Sequence, residues 1–225
     1  YAAYGPLVLA LLVLLAGFNG LALRAVLAER WAQMLLACFA LLAVAFTVSA
    51  QAGAVKPTVK DAGLGDAIAL TGADLWTDDQ ESSEGPLKDL VDGNASTYFH
   101  MSWSNPSPFP HYIVVDLKKE VYGVTFSYIC RNQNNKDNPK QITVLGSEAF
   151  GQTTDDLSKA FQLDVMSGLP GDKAASYESS HIISSKPFRY LWLRIDSSTS
   201  GSNWVALAEL SVTEVKTTIY DPENE

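Results

Sequence analysis

From Ala67 onward the chain alternates short runs of β-branched and aromatic residues with clusters of turn residues. The clearest runs cover 112–117, 121–131, 141–146, 161–166, 177–183, 188–196 and 206–215, each of strand length. No long amphipathic helix intervenes. Parallel sheets need crossover helices between strands, so the pattern predicts antiparallel pairing in two packed layers. Within 188–196 the period of two puts Phe188, Tyr190, Trp192 and Arg194 on one face and Arg189, Leu191, Leu193 and Ile195 on the other. Apolar bulk on both faces predicts a central strand, with one face on the core and the other under a loop or short helix. Residues 86–91 and 155–160 read as one or two helical turns each, the second with Thr154 as N-cap.

The first 52 residues follow a different pattern. Residues 6–23 are almost unbroken Leu, Val and Ala, close to the length that spans a bilayer as a helix. After Arg24, Glu29 and Arg30 a second apolar run, 34–48, leads into Ser49-Ala50-Gln51-Ala52-Gly53. Basic residues, an apolar stretch and the small-x-small Ala50-Gln51-Ala52 have the shape of an export signal cleaved after Ala52. On that account translation starts at Met34, which gives a weakly charged signal, and the upstream part is an over-extended reading frame. A two-helix membrane hairpin tethering the downstream domain is the alternative that hydropathy leaves open. Both accounts predict apolar helices within 1–52 and an exported domain, extracellular, on the cell surface or periplasmic. Residues 53–66 carry Pro57, Gly63 and Gly65 without a sustained period and are expected to form a loosely packed linker. The sandwich is then expected over 67–216 and a tail over 217–225.

Charge narrows the partners. The chain carries a formal net charge of −9, and the segment up to Ala52 contributes only Arg24, Arg30 and Glu29, so the acidity lies downstream. Such a domain repels phosphate backbones, which argues against nucleic acid, and no basic cluster invites anionic lipid. Membrane contact is expected only through the N-terminal apolar segment. The two cysteines, Cys38 and Cys130, fall in the apolar segment and in an expected strand, and no disulfide between them is expected; Cys130 reads as a small buried hydrophobe. Metalloprotease, nucleophile-elbow and phosphate-loop motifs are all missing, so no catalytic role is expected.

Several segments together resemble the discoidin or factor V/VIII type C family. These are Leu90-Val91-Asp92-Gly93-Asn94-Ala95-Ser96-Thr97-Tyr98-Phe99-His100, Ser102-Trp103-Ser104, Pro110-His111-Tyr112-Ile113-Val114-Val115-Asp116-Leu117, Val144-Leu145-Gly146-Ser147, Arg189-Tyr190-Leu191-Trp192-Leu193 and Ala208-Glu209-Leu210-Ser211-Val212. Phe99, where many members have Trp, and the Asn-rich stretch after Arg131 depart from the family pattern. The resemblance implies a galactose-binding-like jelly roll, similar to family 32 carbohydrate-binding modules and to forms found in bacterial surface proteins. A module of that kind holds glycans, as a monomeric domain with shallow, weak sites that gain avidity by repetition. A surface module gripping protein or lipid, or a detached accessory domain of a larger glycoside hydrolase, are the alternatives.

Two sites follow from that resemblance. Asp92, Asn94 and Thr97 set three hard oxygens around a glycine, and the family pattern adds Glu209 from the last strand, implying a structural calcium. Turn chemistry at Asp92-Gly93 accounts for the same residues without a metal. Sugar sites need an apolar platform for the pyranose face and fixed donors and acceptors for its hydroxyls. His100, Trp103, Arg131, Asn134, Asn135, Asn203 and Trp204 fall in the loops and strand ends that the family gathers at one edge. Within this set His100 and Arg131 are expected to read hydroxyls with an Asn from each of two loops, while Trp103 or Trp204 is expected to stack. His111 and His181 read as structural.

Overall fold

A computed structural model describes residues 58–134 and 137–220. In chain order the strands are β1 (Thr58–Ala67), β2 (Leu75–Thr77), β3 (Phe99–His100), β4 (His111–Cys130), β5 (Pro139–Ser147), β6 (Phe161–Ser167), β7 (Ser176–Glu178), β8 (Ile182–Ser198) and β9 (Ala206–Tyr220). Short 3-10 turns at Gly72–Asp74, Leu87–Val91 and Thr154–Lys159 complete the regular structure. All strand pairs are antiparallel.

Long strands fold one hydrogen-bonded sheet into two layers. Its order is β1-β9-β4-β8-β5-β6, with β2 and β7 added on β4 and β3 on β9. The first part of β4, from His111 to Asp116, pairs with Tyr190 to Ile195 of β8, whereas its second part, from Val124 to Cys130, pairs with β9. Between the two parts the register breaks, Lys118 adopts a φ of 65°, and Lys118, Lys119 and Glu120 turn outward. One layer therefore contains β2, β4, β8, β5 and β6, and the other β1, β9, β4 and β7. Between them lie Ile113, Val115, Leu191, Leu193 and Ile195 from the first layer and Phe126, Tyr128, Leu210 and Val212 from the second.

The two-faced pattern of 188–196 has its predicted consequence. On the far side of the first layer Tyr112, Val114, Leu145 and Trp192 are covered by Trp76, Phe150, Leu157 and Tyr190. The Phe150 ring stands edge-on to Trp192 at 4.9 Å, and the buried Trp192 indole donates to Ser147 Oγ at 2.9 Å. Phe188 departs from strict alternation. It packs in the inner cluster with Leu191, because the β4–β8 register shifts between Asp116 and Val121.

Three sequence expectations need correction. The stretch read as a loose linker contains β1, which pairs along β9 from Thr58↔Tyr220 to Ala67↔Thr213. Most of its side chains are exposed, so backbone hydrogen bonds hold it and leave no apolar period to read. Its register shifts beside Gly63, which takes a φ of 98° while its N–H donates to Asp61 Oδ1 at 2.7 Å. Residues 217–220, expected in a tail, are the β9 half of that ladder. The cap of the Thr154–Lys159 turn is Thr153, whose Oγ1 accepts from Asp155 N at 3.3 Å, not Thr154.

Cys130 is buried, and burial pushes its thiol up to about 11, so it acts as a small apolar residue. His181 Nδ1 lies 2.6 Å from Asp61 Oδ2, clipping the segment before β8 to β1. The apolar helices expected within 1–52 lie outside the described residues. Among the described residues no helix is long and apolar enough to cross a membrane.

Candidate functional site

Loops at one end of the sandwich form a cleft of about 460 Å³. Its walls are Glu84, His100, Trp103, Arg131, Gln133, Asp137 and Trp204. Strand β3 places His100 by pairing Phe99 with Leu207 and His100 with Ala206 of β9. The imidazole is buried, with Nδ1 2.6 Å from the Met101 carbonyl. A carbonyl only accepts, so Nδ1 carries the hydrogen of this contact. The Glu84-Gly85 turn must press against this strand. His100 N donates to the Gly85 carbonyl at 3.0 Å, Gly85 has a φ of 61°, and a Cβ there would sit 2.7 Å from His100 N.

That turn delivers the Glu84 carboxylate to two aromatic partners. Oε2 accepts from the Tyr98 hydroxyl at 2.8 Å and Oε1 from the Trp103 indole at 3.0 Å. The Tyr98 hydrogen bond above all, then that of Trp103 and the nearby positive charge of Arg131, hold Glu84 below the usual carboxylate range. Arg131 leaves the end of β4 and lays its guanidinium 3.4 Å from the centre of the Tyr98 ring. The backbone on both sides of Trp103 is tied down, since Ser102 N donates to Asp79 Oδ2 at 3.1 Å and Ser104 N to Glu81 Oε2 at 3.0 Å. Hydrogen bonds from Ser104 lower Glu81 to about 2. Between these anchors the Trp103 side chain stays open to solvent, 46% exposed. Trp204 is half-buried, packing on the core with one part of its surface while lining the cleft with another.

Of the residues chosen from sequence, His100, Trp103, Arg131 and Trp204 therefore meet around one cleft. Asn134 lines an adjoining cleft with Gly171, Asp172 and Lys173. Asn203 is exposed and outside the lining of either cleft, and Asn135 lies outside the described residues. Sequence reasoning missed Glu84, Tyr98, Gln133 and Asp137. Tyr98 and Gln133 stand two residues from His100 and Arg131 and were within reach, whereas Glu84 and Asp137 take part through contacts between loops distant in sequence.

The residues implied for calcium also converge. Asp92 accepts from Asn94 N at 2.9 Å and from Thr97 Oγ1 at 2.8 Å. Glu209 faces this loop from β9. Burial, then a hydrogen bond shared with the Asp92 carboxyl, pushes Glu209 up, while Thr97 first of all keeps Asp92 low. Glu209 Oε1 is buried without a hydrogen-bond partner. Two facing carboxyls with an orphaned oxygen suit a hard cation, which Asp92 and Glu209 would hold with help from Asn94 and Thr97.

An antiparallel two-layer sandwich with a loop-built cleft at one end defines a galactose-binding-like fold. The profile of the F5/8 type C domain matches residues 75–210, and the chain belongs to this family. No curated protein matches the sequence. Among solved structures, a CBM32 module from Clostridium perfringens in complex with GalNAc-β-1,3-galactose superposes with a TM-score of 0.52 at 16% identity, covering 65% of this chain and 99% of that one. The family 32 module of NanJ from the same organism, in complex with galactose, gives 0.52 at 15% identity over 66% and 98% of the two chains. The C-terminal domain of a chitobiase from Bacteroides fragilis gives 0.50 at 22% identity over 68% and 99%.

Proposed function

We propose that the protein is a non-catalytic carbohydrate-binding module of an exported or cell-surface protein, and that the 460 Å³ cleft receives a sugar. The observation that carries this reading is Trp103, an exposed aromatic platform whose indole is locked by Glu84 and which lines the same cleft as His100 and Arg131. A pyranose presents an apolar face and a rim of hydroxyls. Trp103 stacks on the face, with Trp204 as a second apolar wall, while His100 hydrogen-bonds a hydroxyl and the Arg131 guanidinium donates to ring substituents. The sugar complexes of the two similar Clostridium perfringens modules support the same class of ligand.

The binding role is favoured over catalysis by how the cleft's carboxylates are used. Both oxygens of Glu84 accept hydrogen bonds from aromatic residues, and Asp137 lies 3.5 Å from both the Gln133 amide and the Ser202 hydroxyl. Glycoside hydrolysis needs one carboxylate free to deliver a proton and another free to attack or activate water. Calcium, held by Asp92, Asn94, Thr97 and Glu209, supports the site indirectly by fastening the early loop to β9, the strand on which His100 is paired. A glycan array followed by calorimetry tests the proposal. Sugar binding that Trp103→Ala removes supports it, whereas an array without any hit rejects it.

A further inference from the structure

We propose that the glycan runs past the first cleft into the adjoining one, so that the smallest well-bound ligand is a disaccharide. This rests on the sugar-binding reading of the first cleft and adds a second subsite to it. The adjoining cleft has a volume of about 370 Å³ and is lined by Gln133, Asn134, Gly171, Asp172 and Lys173. Gln133 also lines the first cleft, so the two are neighbours across one side chain. Each volume falls within the ~300–1,000 Å³ of ordinary small-ligand sites.

Arg131 links the clefts mechanically. Its carbonyl accepts from Gln133 N at 2.9 Å and from Ala174 N at 3.4 Å, while Cys130 N donates to the Ala175 carbonyl at 2.8 Å. The loop carrying Asp172 and Lys173 is thus fastened to the residue whose guanidinium serves the first cleft. Ala174 adopts a φ of 53° in this loop, a left-handed conformation that the flanking hydrogen bonds must hold in place.

The two clefts differ in chemistry in a way that fits successive sugar units. The first has the aromatic surfaces of Trp103 and Trp204, whereas the second, among the described residues, brings the side chains of Gln133, Asn134, Asp172 and Lys173 together around Gly171 without an aromatic ring. An amide, a carboxylate and an ammonium can grip the hydroxyls of a second ring edge-on, with no stacking surface to favour a terminal unit there. Asp172 and Lys173 form no ion pair among the described residues and are exposed, so both remain available. The first unit has already met most of the association entropy, so a few hydrogen bonds from the second add directly to affinity.

An array of mono-, di- and trisaccharides ending in galactose, N-acetylgalactosamine, N-acetylglucosamine or fucose identifies the strongest oligosaccharide. Calorimetry then compares that oligosaccharide with its terminal monosaccharide, in the full chain and in an Asn134→Ala/Lys173→Ala variant. The expected result is an oligosaccharide preference of about tenfold in the parent. In the variant the preference should collapse to within about twofold while the monosaccharide Kd stays unchanged. An equal preference in both proteins, no preference in the parent, or loss of monosaccharide binding in the variant overturns the second subsite and leaves the first standing. Absence of binding to every sugar overturns both.

Discussion

The guanidinium of Arg131 lies 3.4 Å from the centre of the Tyr98 ring, so the cation that faces the cleft is seated on an aromatic plane. Such a stack uses the flat, delocalised shape of arginine, which a lysine ammonium cannot reproduce. Arg131→Lys is expected to weaken sugar binding by about tenfold although the charge is kept. Calorimetry should register this with little change in Tm, and an undiminished affinity would remove Arg131 from the site.

Glu84 is expected to act through the residues it holds. Glu84→Ala leaves the Trp103 indole and the Tyr98 hydroxyl without their acceptor, freeing the Trp103 ring to leave its binding orientation. Affinity should fall about tenfold or more, with Glu84→Gln intermediate because one of the two accepting oxygens is replaced by an NH2 donor. Tryptophan fluorescence anisotropy should report the loosened ring in the alanine variant.

At the proposed calcium site, chelation with EGTA should lower the Tm and added calcium should restore it, as mass action requires for a ligand of the folded state. Burial pushes Glu209 above its ordinary 4.5, so without calcium this group makes the fold less stable as pH rises through that range. Glu209→Gln is therefore expected to raise the metal-free Tm at neutral pH and to abolish the calcium response. A Tm indifferent to EGTA in the parent would remove the metal.

A different pH dependence is expected from His111. Its Nδ1 is 3.2 Å from Asp78 Oδ2, and its Nε2 is 3.0 Å from the Ser107 carbonyl and 3.6 Å from Asp79 Oδ2. Acceptors at both nitrogens favour the doubly protonated ring. Burial opposes that charge, but hydrogen bonds to Asp78 and Ser107 and the charge of Asp79 outweigh it and raise the pKa above 6.5. The stabilisation is complete below 6.5 and is lost as pH rises through the raised value. The Tm gap between the parent and His111→Gln should accordingly be widest in mild acid and narrow above neutrality. A gap constant from pH 5 to 9 would contradict it.

What the sequence disclosed follows from what burial imprints on it. Strand β8 was legible because Leu191, Leu193 and Ile195 face the core while Trp192 is covered on the other side. Strand β1 was not, because exposed positions such as Leu64 carry no apolar period and the ladder to β9 is made by backbone atoms. The same distinction holds at the cleft. Trp103, His100 and Arg131 stood out as residue types suited to sugars, yet Glu84 is one carboxylate among many until the fold brings it to Tyr98 and Trp103, 14 and 19 residues away.

The most direct test of the account is an NMR titration of the ¹⁵N-labelled protein with the strongest sugar found on the array. Binding in the cleft predicts saturable shifts of the Trp103 indole N–H and the Arg131 Nε–H, with the buried Trp192 indole unmoved. Saturable shifts that spare Trp103 and Arg131 and cluster on another surface would contradict it.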